Sequence, residues 1–130
     1  MAEETILLVE DSEVLRQGLK SLLEQENYAV VTGGNGVEAL EHLENVTPDL
    51  ILADILMPEM DGYALFEAVR SRMEWISIPF IFLTARRERK HILAGKRLGA
   101  EDYLLKPISP DDLLTAIRSR LGRSQQLLYA

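Results

Sequence analysis

Residues 50–58 read LILADILMP, so Asp54 stands inside a run that would otherwise line a core. An isolated ionised carboxylate is very costly to bury, so Asp54 needs partners. Three other apolar runs also end on polar residues. ILLV ends on Glu10-Asp11, FIFL on Thr84 and YLL on Lys106. Three carboxylates brought together repel, and each raises the pKa of its neighbours. A hard divalent cation relieves that repulsion, and carboxylates with water suit Mg²⁺. Lys106 adds a point charge for phosphate or carboxylate oxygens, and Thr84 adds a hydroxyl. These are the parts needed to receive a phosphoryl group. Asp is a nucleophile able to form an aspartyl phosphate, and a metal and a lysine neutralise charge on the group in transfer.

Such residues converge only if the chain brings the ends of its apolar runs together. Five short apolar segments, at 5–9, 28–32, 50–53, 78–83 and 102–104, read as strands buried on both faces. Between and after them lie five segments of helical period. Their apolar stripes are Leu15, Leu19, Leu22 and Leu23; Val37, Leu40 and Leu43; Leu65, Phe66, Val69 and Met73; Ile92, Leu93 and Leu98; and Leu113, Leu114, Ile117 and Leu121. The turn Gly33-Gly34-Asn35-Gly36 opens the second helix, and Ser109-Pro110 opens the fifth. Strict alternation of strand and helix predicts an α/β fold, with a doubly wound five-stranded parallel sheet covered on both faces. All carboxyl ends of a parallel sheet lie on one edge, and ligands of open α/β sheets bind outside it. Residues 10, 11, 54, 84 and 106 should therefore meet.

Composition sets the outer limits. The 130 residues suit one domain, expected over 1–121, with 122–130 as a C-terminal tail or the start of a linker. The chain has no cysteine, hence no disulfide framework or thiolate chemistry, which suits the cytoplasm. No apolar run reaches membrane-spanning length, and no membrane partner is expected. A net charge of −7 argues against direct nucleic-acid binding through bulk charge.

The motifs VED, LADILMPEMDG, LTA and DYLLKP, in that order and spacing, closely resemble the receiver domain of two-component response regulators, the CheY-like family. The resemblance runs to about residue 121. It implies a flavodoxin-like sheet of order 2-1-3-4-5 and a module for phosphorelay signal transduction. Asp54 matches the phosphoacceptor. Asp11 matches a direct Mg²⁺ ligand, Glu10 one acting mainly through water, and the backbone carbonyl of Leu56 the third protein ligand. Thr84 matches the switch hydroxyl, Lys106 the phosphate-pairing lysine before a cis Pro107, and Tyr103 the aromatic that follows Thr84 inward. Pro58 and Gly62 match the turn after Asp54. The implied donor is a histidine kinase or phosphotransfer protein. The implied output domain or protein would read the surface of residues 86–118, formed by the fourth helical segment, the fifth strand and the fifth helical segment. The module would be no enzyme beyond self-phosphotransfer and slow self-dephosphorylation, since aliphatic Leu56 cannot orient a water. Where one branch of the family places charges for dimerisation, this chain has Ile92 and Ala116, and Arg97 replaces a usual acid. That mode of pairing is not expected.

Each residue has a plainer reading by itself. Asp54 could cap a turn, Lys106 could be solvated, Tyr103 could be packing, and Asp11-Ser12 could cap the following helix. Asp61 reads as a loop residue before Gly62. His42 and His91 have no ligand partner at metal spacing; with Tyr28, Tyr63 and Trp75 they read as surface or packing residues. The basic run RRERKHILAGKR at 86–97 reads first as a solvated helix face and second as a partner-binding patch. An aspartyl phosphohydrolase would want a second Asp where Leu56 stands. A nucleotide-binding flavodoxin-like module would want a small, donor-rich loop where Glu10-Asp11-Ser12-Glu13 stands. A receiver-like module that binds partners without phosphorylation is the remaining alternative.

Overall fold

A computed structural model describes residues 3–85 and 102–129. In chain order the elements are β1 (Thr5–Val9), α1 (Glu13–Gln25), β2 (Ala29–Gly33), α2 (Gly36–Leu43), β3 (Leu50–Asp54), α3 (Gly62–Arg70), β4 (Phe80–Thr84), β5 (Asp102–Leu105) and α4 (Pro110–Tyr129). All strand pairs are parallel, in the order β2-β1-β3-β4-β5. The expected doubly wound sheet and its order are thus observed. The fourth helical stripe, Ile92, Leu93 and Leu98, and the basic run 86–97 lie outside the described residues.

Side chains alternate across a strand, and here the alternation sorts the core into two. Leu7, Val9, Ile51, Ala53, Phe80 and Phe82 point to one face, against Ala39 and Leu43 of α2 and Leu65, Phe66 and Val69 of α3. Ile6, Leu8, Leu50, Leu52, Ile81 and Leu83 point to the other, against Leu19 and Leu23 of α1 and Leu113, Leu114 and Ile117 of α4. The first face is aromatic. Phe82 lies 4.9 Å from Phe80, 5.1 Å from Tyr63 and 5.5 Å from Tyr103 between ring centroids.

Hydrogen bonding explains where the elements depart from the sequence reading. The Tyr28 N–H turns back to Leu23 O at 3.2 Å, closing α1, so β2 begins at Ala29 and runs on through Gly33. The Ile78 N–H is held by Trp75 O at 3.1 Å, and β4 starts only at Phe80. Met73 is not on the α3 stripe. The helix stops at Arg70, Met73 is 84% exposed, and Trp75 fills the core instead. At the far end α4 continues past its last apolar stripe residue, Leu121, through Gly122 to Tyr129. A Cβ at Gly122 would meet nothing within 4 Å, so nothing packed there stops the helix. Ala116 is buried in the second core face.

Candidate functional site

Strand register delivers the acidic residues to one edge. β3 runs one residue further than its apolar run, because Asp54 pairs with Leu83 of β4. Thr84 likewise closes β4, pairing with Leu105. The Glu10 N–H continues the ladder to Gly33 O at 3.0 Å, and the Lys106 N–H to Thr84 O at 2.7 Å. Glu10, Asp54, Thr84 and Lys106 are therefore each on, or one residue past, a hydrogen-bonded strand end, with Asp11 one residue further.

Lys106 is the centre of the cluster. Its Nζ donates to Glu10 Oε1 at 2.9 Å and to Asp54 Oδ2 at 3.1 Å. Glu10 is fully buried and Asp54 is 5% exposed, while Asp11 is exposed. Carboxylate oxygens of Glu10, Asp11 and Asp54 all lie within 4.8 Å of one another. Three carboxylates at that spacing suit a hard cation, and one lysine leaves them undercompensated. Among the described residues this is the one acidic cluster able to hold a metal ion.

The electrostatics agree with one cation shared between two acids. Burial pushes the Glu10 carboxyl above its ordinary value of 4.5, and the charge of Asp54 pushes the same way. The Ser12 N–H, donating to Glu10 Oε2 at 3.0 Å, and Lys106 oppose that rise but do not cancel it. Burial works against the Lys106 ammonium as well. There the bonds and charges of Glu10 and Asp54 win, and its pKa is raised.

The other predicted residues fall around this centre. Thr84 is buried, and its hydroxyl reaches Ala85 O at 3.3 Å. Tyr103 is half-buried, with its ring stacked on Phe82. Leu56 is 45% exposed. The Lys106–Pro107 bond is cis. Gly62 sits beneath Asp54, where a Cβ would lie 2.4 Å from the Asp54 carbonyl oxygen. Ser12 and Asp61 are both helix N-caps, accepting from the N–H groups of Leu15 and Ala64. His42 lies beside Leu7, Val31, Val46 and Pro48, away from the acids. His91 and Arg86 lie outside the described residues.

One contributor escaped the sequence reading. Arg16 Nη1 donates to the Glu10 carbonyl oxygen at 2.8 Å and ties α1 to the acidic loop. The available signal was a basic residue on the first turns of α1, six positions past Glu10.

The sequence pattern of the response regulator receiver domain matches residues 6–118. The transcriptional regulatory protein PhoP for alkaline phosphatase synthesis in Bacillus subtilis is 36% identical over 120 residues, 92% of this chain and 49% of its own length. The chain thus spans about half the length of the curated relatives it matches. Two solved structures superpose closely. The chemotaxis response regulator CheY4 of Vibrio cholerae has a TM-score of 0.85 at 32% identity, covering 92% of this chain and all of that one. The receiver domain of the sensor histidine kinase PA1611 of Pseudomonas aeruginosa has a TM-score of 0.84 at 31% identity, covering 93% and 99%; it carries a magnesium ion in its active-site cleft.

Proposed function

The chain belongs to the response regulator receiver domain family, and on that premise we propose that it is a phosphorylation-switched module whose acceptor is Asp54. The observation that carries this reading is Lys106 shared between Glu10 and Asp54, with Asp11 alongside, at the carboxyl edge of the sheet. A histidine kinase or phosphotransfer protein is the donor. An Asp54 carboxylate oxygen forms the new P–O bond as the donor's P–N bond breaks. Lys106 then exchanges carboxylate oxygens for phosphoryl oxygens as partners. Glu10, Asp11, Asp54 and the Leu56 carbonyl would hold Mg²⁺, which when bound neutralises charge on the phosphoryl oxygens.

The switch follows from local electrostatics. A phosphoryl group adds charge and acceptor oxygens beside the buried Thr84 hydroxyl. Thr84 moves toward it, and Tyr103, stacked on Phe82 two residues earlier in β4, follows. The surface of residues 86–118 then changes affinity for an output domain or protein by a shift between existing states. Residues 1–121 form the receiver unit, and 122–130 lead away from it. The module acts in the cytoplasm, where its donor resides, without binding nucleic acid itself. No described helix is long and apolar enough to cross a membrane.

Intact mass after incubation with Mg²⁺ and acetyl phosphate tests the assignment. One phosphoryl group is expected on the wild-type chain, and none with chelator or in Asp54→Asn. Absence of any gain, both from acetyl phosphate and from a phosphorylated histidine phosphotransfer protein, would leave a module that binds partners unphosphorylated.

A further inference from the structure

The loop between Asp54 and α3 is pinned at two glycines, and one of them belongs to a different element. Gly62 closes the loop. Its N–H donates to Ile55 O at 2.8 Å, and a Cβ there would lie within 2.9 Å of backbone atoms of Asp54 and Ile55. The second pin is Gly36, the first residue of α2, behind the N-cap Asn35. Its N–H donates to Met60 O at 3.3 Å. A Cβ on Gly36 would lie 2.6 Å from Met60 Cγ, 2.8 Å from Sδ and 2.9 Å from Cβ. Met60 in turn packs against the aromatic core face.

We infer that Gly36 is a positioning residue for the acceptor site. By lacking a side chain it lets the loop lie against the start of α2, and so fixes the backbone path from Asp54 through Leu56. This rests on the acceptor reading above. The contact with Met60 Cβ decides what yields when the seat is filled. A thioether can rotate away, but Cβ moves only with the backbone. α2 is held by the buried Ala39 and Leu43 and by the Asn35 side chain, which accepts from the Glu38 N–H. The loop is the softer partner. It contains Glu59 at φ 66°, a left-handed conformation for a residue with a side chain, and a tight turn from the Met60 N–H to Pro58 O at 2.7 Å. Displacement therefore enters at Met60 and runs back toward Leu56 and Asp54.

Gly36→Ala is the test, with Gly18→Ala as control, because a Cβ at Gly18 meets nothing within 4 Å. The readout is Mg²⁺ affinity of the unphosphorylated chain by calorimetry, with cooperative unfolding checked by circular dichroism. Loss of a supporting contact typically weakens metal binding by roughly tenfold or more, and that loss is expected for Gly36→Ala alone. Adding Met60→Gly to Gly36→Ala should return the affinity toward the wild-type value. If Gly36→Ala alone does not fold, cooperative unfolding and Mg²⁺ binding should both return in Gly36→Ala/Met60→Gly, where the atoms that a Cβ at residue 36 would meet are gone. Wild-type affinity in a folded, crowded variant overturns the inference, as does a loss that Met60→Gly fails to relieve. If the wild-type chain binds no Mg²⁺, the acceptor reading fails and takes this inference with it; if it binds and the crowded variant binds equally, only the inference fails.

Discussion

Lys106 stands between two carboxylates that would otherwise repel, and the consequences separate by residue. Glu10 is held above its ordinary 4.5 by burial and by Asp54, so the folded chain keeps that proton more tightly than the unfolded chain. A carboxyl raised on folding contributes stability that is fully present below 4.5 and is lost as pH rises through the folded value. In metal-free buffer, Glu10→Gln should therefore flatten the fall in stability just above pH 4.5. Denaturant unfolding of both chains across that window checks it; equal slopes would assign the fall to other carboxyls. Leu56 argues a kinetic point. It is 45% exposed beside Asp54 and has no polar atom to orient a water. Under the acceptor reading, the phosphorylated chain should lose its group slowly in Mg²⁺, and Leu56→Asn should shorten the lifetime. Release of phosphate within seconds from the wild-type chain would count against this.

At the scale of elements, the helix starts were legible because capping is local. Ser12, Asn35 and Ser109 each accept from an N–H three residues on, at the starts that the turn chemistry implied; Asp61, read as a loop residue, does the same for α3. Strand ends were less legible. β3 and β4 each run one residue past their apolar stretches, and β5 one residue past its expected end at 104, because a neighbouring strand offers a partner there, and pairing across the sheet leaves no mark in local sequence. α1 retains a visible compromise in Gly18, exposed in mid-helix with open space around it. Gly18→Ala should stabilise the protein by about 0.5–1 kcal/mol through the lost backbone entropy of the unfolded chain. A shift in the urea midpoint at unchanged slope is the measurement; no gain would show that the helix there is under some other constraint.

Across the whole molecule, the acid cluster is legible in the sequence because a parallel sheet puts every carboxyl end on one edge. Glu10, Asp54, Thr84 and Lys106 needed only the alternation of strand and helix to be placed. Arg16 and Gly36 were not readable in the same way. Their roles lie in one side chain reaching a backbone oxygen and in one missing side chain, and neither has a periodicity. The described packing against the second core face ends at Leu121. A chain stopped after Leu121 should keep its unfolding free energy to within about 0.5 kcal/mol, the range of changes made away from packed features. A larger loss, measured by denaturant, would assign part of the core to the last turns of α4.

Trp75 gives the two ends of the molecule different optical visibility. It is the sole tryptophan, buried under the Arg72 guanidinium, whose carbon lies 3.8 Å from the ring centroid. Arg72 is itself tied to Glu44 and Glu74. This corner precedes β4, whereas the acids follow the strands. The length of a five-residue strand, about 16 Å, therefore lies between the indole and the carboxylates. Its emission cannot be quenched by direct contact with an ion among Glu10, Asp11 and Asp54. A change in that fluorescence when Mg²⁺ is added would report a rearrangement away from the ion, in the core that Trp75 shares with the sheet, α2 and α3, and a silent tryptophan would say nothing against binding.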